Sequence, residues 1–215
     1  MMITKKYTVF GTPIGRLYRI KGIYLPSVTS IISGFKTDRK NFTNDYLSIG
    51  TLGHFECLRE YEPNMVVPDV SFTWDDDIIN AKLNAINTMW DICKPLSATN
   101  IKVEFVVYDP VNRYAGQVDM LEGSRISDIK TGAFYKHYTL QLGAYFHAYN
   151  LGRKKKLTGT RLYILDSNNR ADRNPDGLPE ILNYSQAESE EFAAKFLEKA
   201  AAYNVLMDEY LSGRW

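Results

Sequence analysis

Two periodicities alternate along this chain. Leu140, Ala144, Ala148 and Leu151 recur at the three-to-four-residue spacing of one helical face, as do Phe192, Phe196, Ala200 and Tyr203. Residues 100 to 109, 113 to 121 and 125 to 131 read instead as strands, the last two joined by a Glu122-Gly123-Ser124 turn. Upstream, residues 5 to 10 and 15 to 24 are expected to form a hairpin around Gly11-Thr12-Pro13. Ser27 is placed to cap a short helix ending near Ser33. A helical region is expected over 39 to 61, broken near Gly50 or Gly53, and 62 to 74, with Pro63 and Pro68, reads as a loop. Asp75-Asp76-Asp77 opens a helix reaching about Cys93, with Pro95 just beyond. That acidic triplet suits the positive end of a helix dipole far better than a metal site.

After the third strand come a helix over 138 to 151 and a strand over 159 to 166. A polar loop over 168 to 177 and a short strand near 179 to 184 follow. Ser185 or Ser189 then starts a long C-terminal helix. The pattern predicts one mixed α/β domain over 1–215, a central mixed sheet flanked by helices in the order α-β-β-β-α-β. An N-terminal cap of hairpin and helix covers about 1–60, the core about 50–166, and a hairpin and helix about 175–213.

Candidate chemistry concentrates in the second and third strands. Asp128 and Lys130 are two apart, so they share a strand face, and pairing with the preceding strand can bring Asp119 beside them. Buried charge is costly unless paired or bound to a metal. Two carboxylates are the hard oxygen ligands that Mg²⁺ or Mn²⁺ prefers, and a neighbouring lysine can steady charge on a phosphate. Asp-x-Lys alone is a weak signal, and an exposed strand with a solvated ion pair is the plain alternative. Its surroundings raise its weight. Gln141 and Tyr145, four apart on the following helix, share one face, either as a polar flank or as contacts to a site. His54, after Gly50-Thr51-Leu52-Gly53, is a structural histidine on its own and a third ligand if the carboxylates bind a cation. Glu104, on the apolar strand before them, is a further acid or merely a polar edge residue.

These motifs resemble the PD-(D/E)XK nucleases of the RecB-like group, which includes phage and mitochondrial genome-maintenance exonucleases. The matching residues are Pro26-Ser27-Val28-Thr29, Gly50 through His54, Glu104, Gly116-Gln117-Val118-Asp119, Asp128-Ile129-Lys130-Thr131-Gly132, and Gln141 through Tyr145. They span about residues 24 to 165; each is short, and their order and spacing carry the likeness. The resemblance implies a restriction-endonuclease-like core. It implies His54, Asp119, Asp128 and the Ile129 carbonyl as ligands of one or two Mg²⁺ or Mn²⁺ ions. It further implies Lys130 as the catalytic lysine and Gln141 and Tyr145 as a Gln-x-x-x-Tyr motif. Some relatives hold an iron–sulfur cluster on four cysteines; with only Cys57 and Cys93, none is expected here. The implied activity is metal-dependent hydrolysis of DNA, with exonuclease action on single strands or ends favoured, in phage-type recombination, repair or DNA degradation. A structure-specific endonuclease on the same core and a non-catalytic nucleic-acid-binding subunit are the alternatives.

Composition adjusts this picture little. Hydrophobic residues make up 45% of 215, enough for a core, and two cysteines do not suggest a disulfide scaffold. No secretory leader and no apolar run of membrane-spanning length is read, so a cytoplasmic enzyme without membrane contact is expected. The net charge of +1 gives no bulk attraction for nucleic acid, so positive charge has to act locally. Arg153-Lys154-Lys155-Lys156 is the densest basic run, either a phosphate contact or a solvated turn, and Lys5, Lys6, Arg16, Arg19 and Lys21 are a second, scattered set. With no phosphate-binding loop of an ATPase, any unwinding would come from a partner such as a helicase or a single-strand-binding protein.

Overall fold

Five strands, β4 (Ile101–Asp109), β5 (Tyr114–Glu122), β6 (Arg125–Lys130), β7 (Gly159–Ile164) and β8 (Glu180–Ser185), form one sheet in that order. The computed structural model describes residues 13–35, 45–96, 100–165, 176 and 178–214, together with the backbone of 3–9. All neighbouring strands pair antiparallel except β6 and β7, which run parallel. A parallel pair needs a long crossover, supplied here by helix α4 (Tyr138–Asn150). The sheet is therefore mixed, as the pattern of periods requires.

Both faces of the sheet are covered. On one face α4, the long C-terminal helix α5 (Gln186–Leu211) and the short helix α1 (Val28–Ser33) bury Val107, Val118, Ile126 and Leu162. On the other, α2 (Asp45–Leu58) and α3 (Asp76–Cys93) bury Met120, Ile129, Tyr163 and Leu165 beneath Leu58, Ile86 and Trp90. Residues 126 to 129 of β6 consequently have no solvent exposure, and any charge placed among them must be paired. A second, three-stranded sheet of β1 (Ile3–Val9), β2 (Gly15–Ile20) and β3 (Ile23–Pro26) joins the core through Leu25 packed near Ala115 and a Ser27–Ala115 bridge.

Three expectations need correction. The stretch 15 to 24 is not one strand: Lys21 and Gly22 both take positive φ, 50° and 85°, and make the two-residue turn that lets β3 fold back on β2. Helix α2 runs unbroken through Gly50 and Gly53. A Cβ on Gly53 would come within 2.9 Å of Ile86 and 3.1 Å of Thr131, so close packing, not a break, accounts for that glycine. Helix α4 is not amphipathic: Gln141 to Phe146 and Ala148 are all buried, while Leu151 of the expected apolar stripe is exposed. Ser185, not Ser189, begins α5, exchanging hydrogen bonds with Glu188 in a capping box. Gly11-Thr12, the start of the helical region at 39 to 44 and the polar loop at 168 to 175 and 177 lie outside the described residues.

Candidate active site

The site forms where regular pairing stops. Along β4 and β5 the paired residues skip Glu104 and Asp119: Val103 pairs Met120 and Phe105 pairs Val118, with no pair between. Residues two apart on a strand share a face. Here Phe105 and Val118 pack beneath α4 and α5, whereas Val103 and Met120 pack beneath α2 and α3. The strands change face at the skipped pair. Glu104 has φ of 50°, a left-handed conformation that a non-glycine residue adopts at a cost of roughly 1–3 kcal/mol and that clusters at functional sites. The β5–β6 ladder likewise ends at Met120 and Ser127. One residue further, Asp119 Oδ2 accepts the Ile129 amide N–H at 2.8 Å, so a carboxylate takes the place of a backbone carbonyl.

Around this gap the charged groups interlock. Asp128 is fully buried and Asp119 is 7% exposed. Lys130 Nζ lies 2.7 Å from Asp128 Oδ2. Gln141 reaches in from α4, donating through Nε2 to Asp128 Oδ1 and to the Tyr145 hydroxyl, both at 2.9 Å, and accepting Lys130 Nζ on Oε1 at 3.1 Å. Gln141 and Tyr145 are thus the inner wall of the site and not a polar flank. Gly116 makes room for that wall: a Cβ there would meet the Tyr145 ring at 2.4 Å. His54 on α2 places Nδ1 3.5 Å from Asp119 Oδ2.

Burial governs the protonation of these groups. It pushes the Asp128 carboxyl up to about 7, against the pull of Lys130 and with a further push from Asp119. Burial alone would lower Lys130, but the Asp128 and Asp119 carboxylates outweigh it and hold the ammonium above its ordinary value. His54 is lowered by burial more than Asp119 raises it, which favours the neutral imidazole that ligates metals. Burial also drives the Tyr145 hydroxyl upward, so it remains a neutral phenol.

His54, Glu104, Asp119, Lys130, Gln141 and Tyr145 all line one cavity of about 840 Å³, with Asp128 buried behind them. Glu104 therefore lines the cavity from the edge strand β4, and it accepts a hydrogen bond from Gln117 Nε2. The basic run does not join them. Residues 153 to 156 are exposed beyond the C-terminal end of α4, and none lines the cavity. With a rise of about 1.5 Å per residue, Asn150 stands roughly 13 Å along the helix from Gln141. Lys156 caps that end by donating to the Asn150 carbonyl at 2.5 Å, and the Arg153 guanidinium lies 4.1 Å from the Tyr149 ring. Arg16, of the scattered basic set, does line the cavity, as do Tyr46, Lys82, Tyr135 and Tyr138, which no local pattern marks.

The donor set suits a hard divalent ion: two carboxylates, an imidazole and a backbone carbonyl. Among the described residues no three His, Cys, Asp or Glu side chains already converge as a ligand cluster. Asp119 is drawn to His54 and Ile129, and Asp128 to Lys130 and Gln141. Asp128 Oδ2 is nevertheless a buried oxygen with no directed hydrogen bond, held by charge alone. Such an atom is what a cation at this site would satisfy.

No family model matches the chain, and no curated protein matches it. Among solved structures, one titled "Crystal structure of SSO0001" is similar over 83% of this chain and 83% of its own, at 14% identity and a TM-score of 0.35, too remote to carry fold or function. No helix among the described residues is long and apolar enough to cross a membrane.

Proposed function

We propose that this chain is a metal-dependent DNA nuclease of the PD-(D/E)XK type, with a restriction-endonuclease-like core, acting as an exonuclease on single strands or ends. One observation carries the reading: Gln141 holds Asp128 and Lys130 together, and Asp119, bonded to the intervening Ile129 amide, joins them in a buried ion cluster against an open cavity. A buried cluster of this kind costs stability relative to apolar packing, so a chemical role is the economical account of it.

Asp119, Asp128, His54 and the Ile129 carbonyl would hold Mg²⁺ or Mn²⁺, which when bound lowers the pKa of water and offsets charge on the phosphate. The chain supplies the rest. Lys130, kept charged by the two carboxylates, positions the attacking water or stabilises the negative charge that builds on the phosphate oxygens. Gln141 fixes Lys130 with one end and Asp128 with the other, so both reacting groups are oriented before substrate arrives. Tyr145, packed against Gly116, keeps Gln141 from rotating away. No covalent intermediate on the enzyme is required.

The deciding experiment offers the purified protein end-labelled linear and closed circular single-stranded DNA, each with Mg²⁺, Mn²⁺ or EDTA. Metal-dependent loss of the linear strand with the circle intact is the expected result. Cutting of the circle would replace exonuclease by endonuclease, and no cleavage with any metal would leave a non-catalytic binding protein.

Metal affinity should also depend on pH in a set direction. Below about 7 the Asp128 carboxyl holds a proton that a cation must displace. Apparent Mn²⁺ affinity, followed by the rise in Tm it produces, is expected to weaken by about tenfold per pH unit below 7 and to level off above it. The same shift acts oppositely on the metal-free fold. The folded carboxyl keeps its proton between about 4 and 7 where the unfolded one has lost it, so this group's contribution to stability falls as pH rises through that window. Affinity that does not change between pH 6 and 8 would remove Asp128 from the ligand set.

A further inference from the structure

Exposed aromatic rings surround the cavity, and the hydrolytic mechanism gives them no task. The segment between β6 and α4 carries Phe134, Tyr135 and His137, with Phe134 37% and Tyr135 50% exposed. The Tyr135 ring is stacked on His137 with centroids 5.6 Å apart at 20°, and meets Tyr138 edge-on at 5.7 Å. Tyr138 in turn lies 4.7 Å from the Lys130 ammonium. An oriented aromatic surface is thus only one ring away from the lysine of the site. A second such surface comes from the first turn of α2. Tyr46, 60% exposed, stands edge-on to Trp74 at 4.8 Å, and the Lys82 ammonium lies 5.8 Å and 5.6 Å from those two rings. The two elements meet where Gly50 faces Thr131, and Tyr46, Lys82 and Tyr135 all line the same cavity.

Two physical constraints narrow what these rings receive. The reacting groups are recessed: Asp128 is fully buried and the Lys130 side chain is only 16% exposed. A phosphate must therefore descend into a cavity of about 840 Å³. That is the scale of a pocket for a compact ligand, about 300–1,000 Å³. The rim also offers ring faces beside ammonium groups. Paired bases are already stacked on each other and show only their edges, whereas an unpaired base has a free face to lay on a ring while a cation meets the adjoining phosphate.

We infer that Tyr135 and Tyr46 are stacking platforms for unpaired bases flanking the phosphate presented to Lys130, and that they restrict the substrate to unpaired strands. The inference rests on the nuclease reading of the site and adds to it the residues that select the strand. It predicts a contribution from the bases themselves, beyond phosphate charge, and assigns that contribution to two named side chains outside the ion cluster.

The test is fluorescence anisotropy in EDTA with the full chain and two dye-labelled strands of about 20 nucleotides, one of thymidylate and one abasic throughout. Stacking on a ring contributes enough per base that the wild type should prefer the thymidylate strand by about tenfold or more. Tyr135→Ala and Tyr46→Ala should each remove most of that preference while binding the abasic strand as the wild type does. Tyr135→Trp should retain it, which separates a lost ring face from a damaged fold. Wild-type protein that binds both strands equally, or alanine variants that keep the full preference, would overturn the platforms. In either case, metal-dependent cleavage of linear single strands would leave the nuclease reading standing. Failure of the wild type to bind or cleave any strand would overturn both.

Discussion

Lys130→Met is expected to lower metal-dependent cleavage by about 100- to 1,000-fold, the usual loss when one preorganised charge is removed from a developing oxyanion. The lysine is placed to oppose both carboxylates at once, 2.7 Å from Asp128 and hydrogen-bonded to Gln141. Methionine preserves the length of the stem and its apolar packing, so the comparison isolates the ammonium. Removing one member of a buried ion pair ordinarily leaves an uncompensated charge, at a cost of about 3–5 kcal/mol. Asp128 has an escape, because burial already favours its protonated form and loss of Lys130 would favour it further. The variant should therefore fold near neutral pH, and Mn²⁺ should still raise its Tm, though less at a given concentration because a proton must be displaced. Single-turnover cleavage of an end-labelled strand, beside a thermal melt with and without Mn²⁺, checks each part. Cleavage within tenfold of the wild type would dismiss Lys130 as the catalytic lysine.

Gly143→Ala is expected to be the most damaging single methyl group on the sheet-flanking helices. A Cβ at 143 would lie 2.4 Å from both Ala193 N and Phe192 C, backbone atoms of α5 that cannot rotate aside. Alanine inside a helix gains up to about 1 kcal/mol over glycine in propensity. Overpacking of a close helix contact costs about 1–3 kcal/mol or more, and here the upper end applies because two backbones must separate. The clash wins, with a net loss of about 2 kcal/mol, or roughly 4–8 °C in Tm for a chain of this size. Gly132→Ala, where a Cβ would meet nothing within 4 Å, is the matched control and should melt with the wild type. Since Gln141 and Tyr145 flank Gly143 on the same helix, the shift should also reduce cleavage. A Gly143→Ala protein melting within a degree of the wild type would mean that α4 and α5 are not in backbone contact there.

The two results probe different layers of the same design. Lys130 acts through charge at the end of β6, and Gly143 acts by letting α4 approach closely enough for Gln141 to span Asp128 and Lys130. The site depends on both, which is why its residues lie in stretches of sequence with no local reason to be close.

What the sequence determined by itself is whatever depends on neighbours along the chain. The order of the helices and of the five strands of the main sheet, the Ser27 cap, and the shared face of Asp128 and Lys130 follow from periodicity and from side chains bonding their own backbone. So does the i, i+4 relation of Gln141 and Tyr145, realised as a hydrogen bond. By sequence alone, however, Ser185 and Ser189 are equal candidates for the last cap, and β2 and β3 read as one strand. Tertiary structure decided the rest, because distant residues supplied the constraint. Gly50 and Gly53, which locally signal a helix break, stay within α2, and at Gly53 Ile86 and Thr131 leave little room for a side chain. Strict alternation along β4 and β5 fails at Glu104 and Asp119, where the strands change the face they bury and free a carboxylate to reach Ile129. The most conspicuous basic run caps a remote helix end, while Tyr46, Lys82 and Tyr135, unremarkable in sequence, come together around the cavity. Periodicity reports which way a residue faces along its own element. Which elements meet, and therefore which charges are buried together, is set by packing across the sheet.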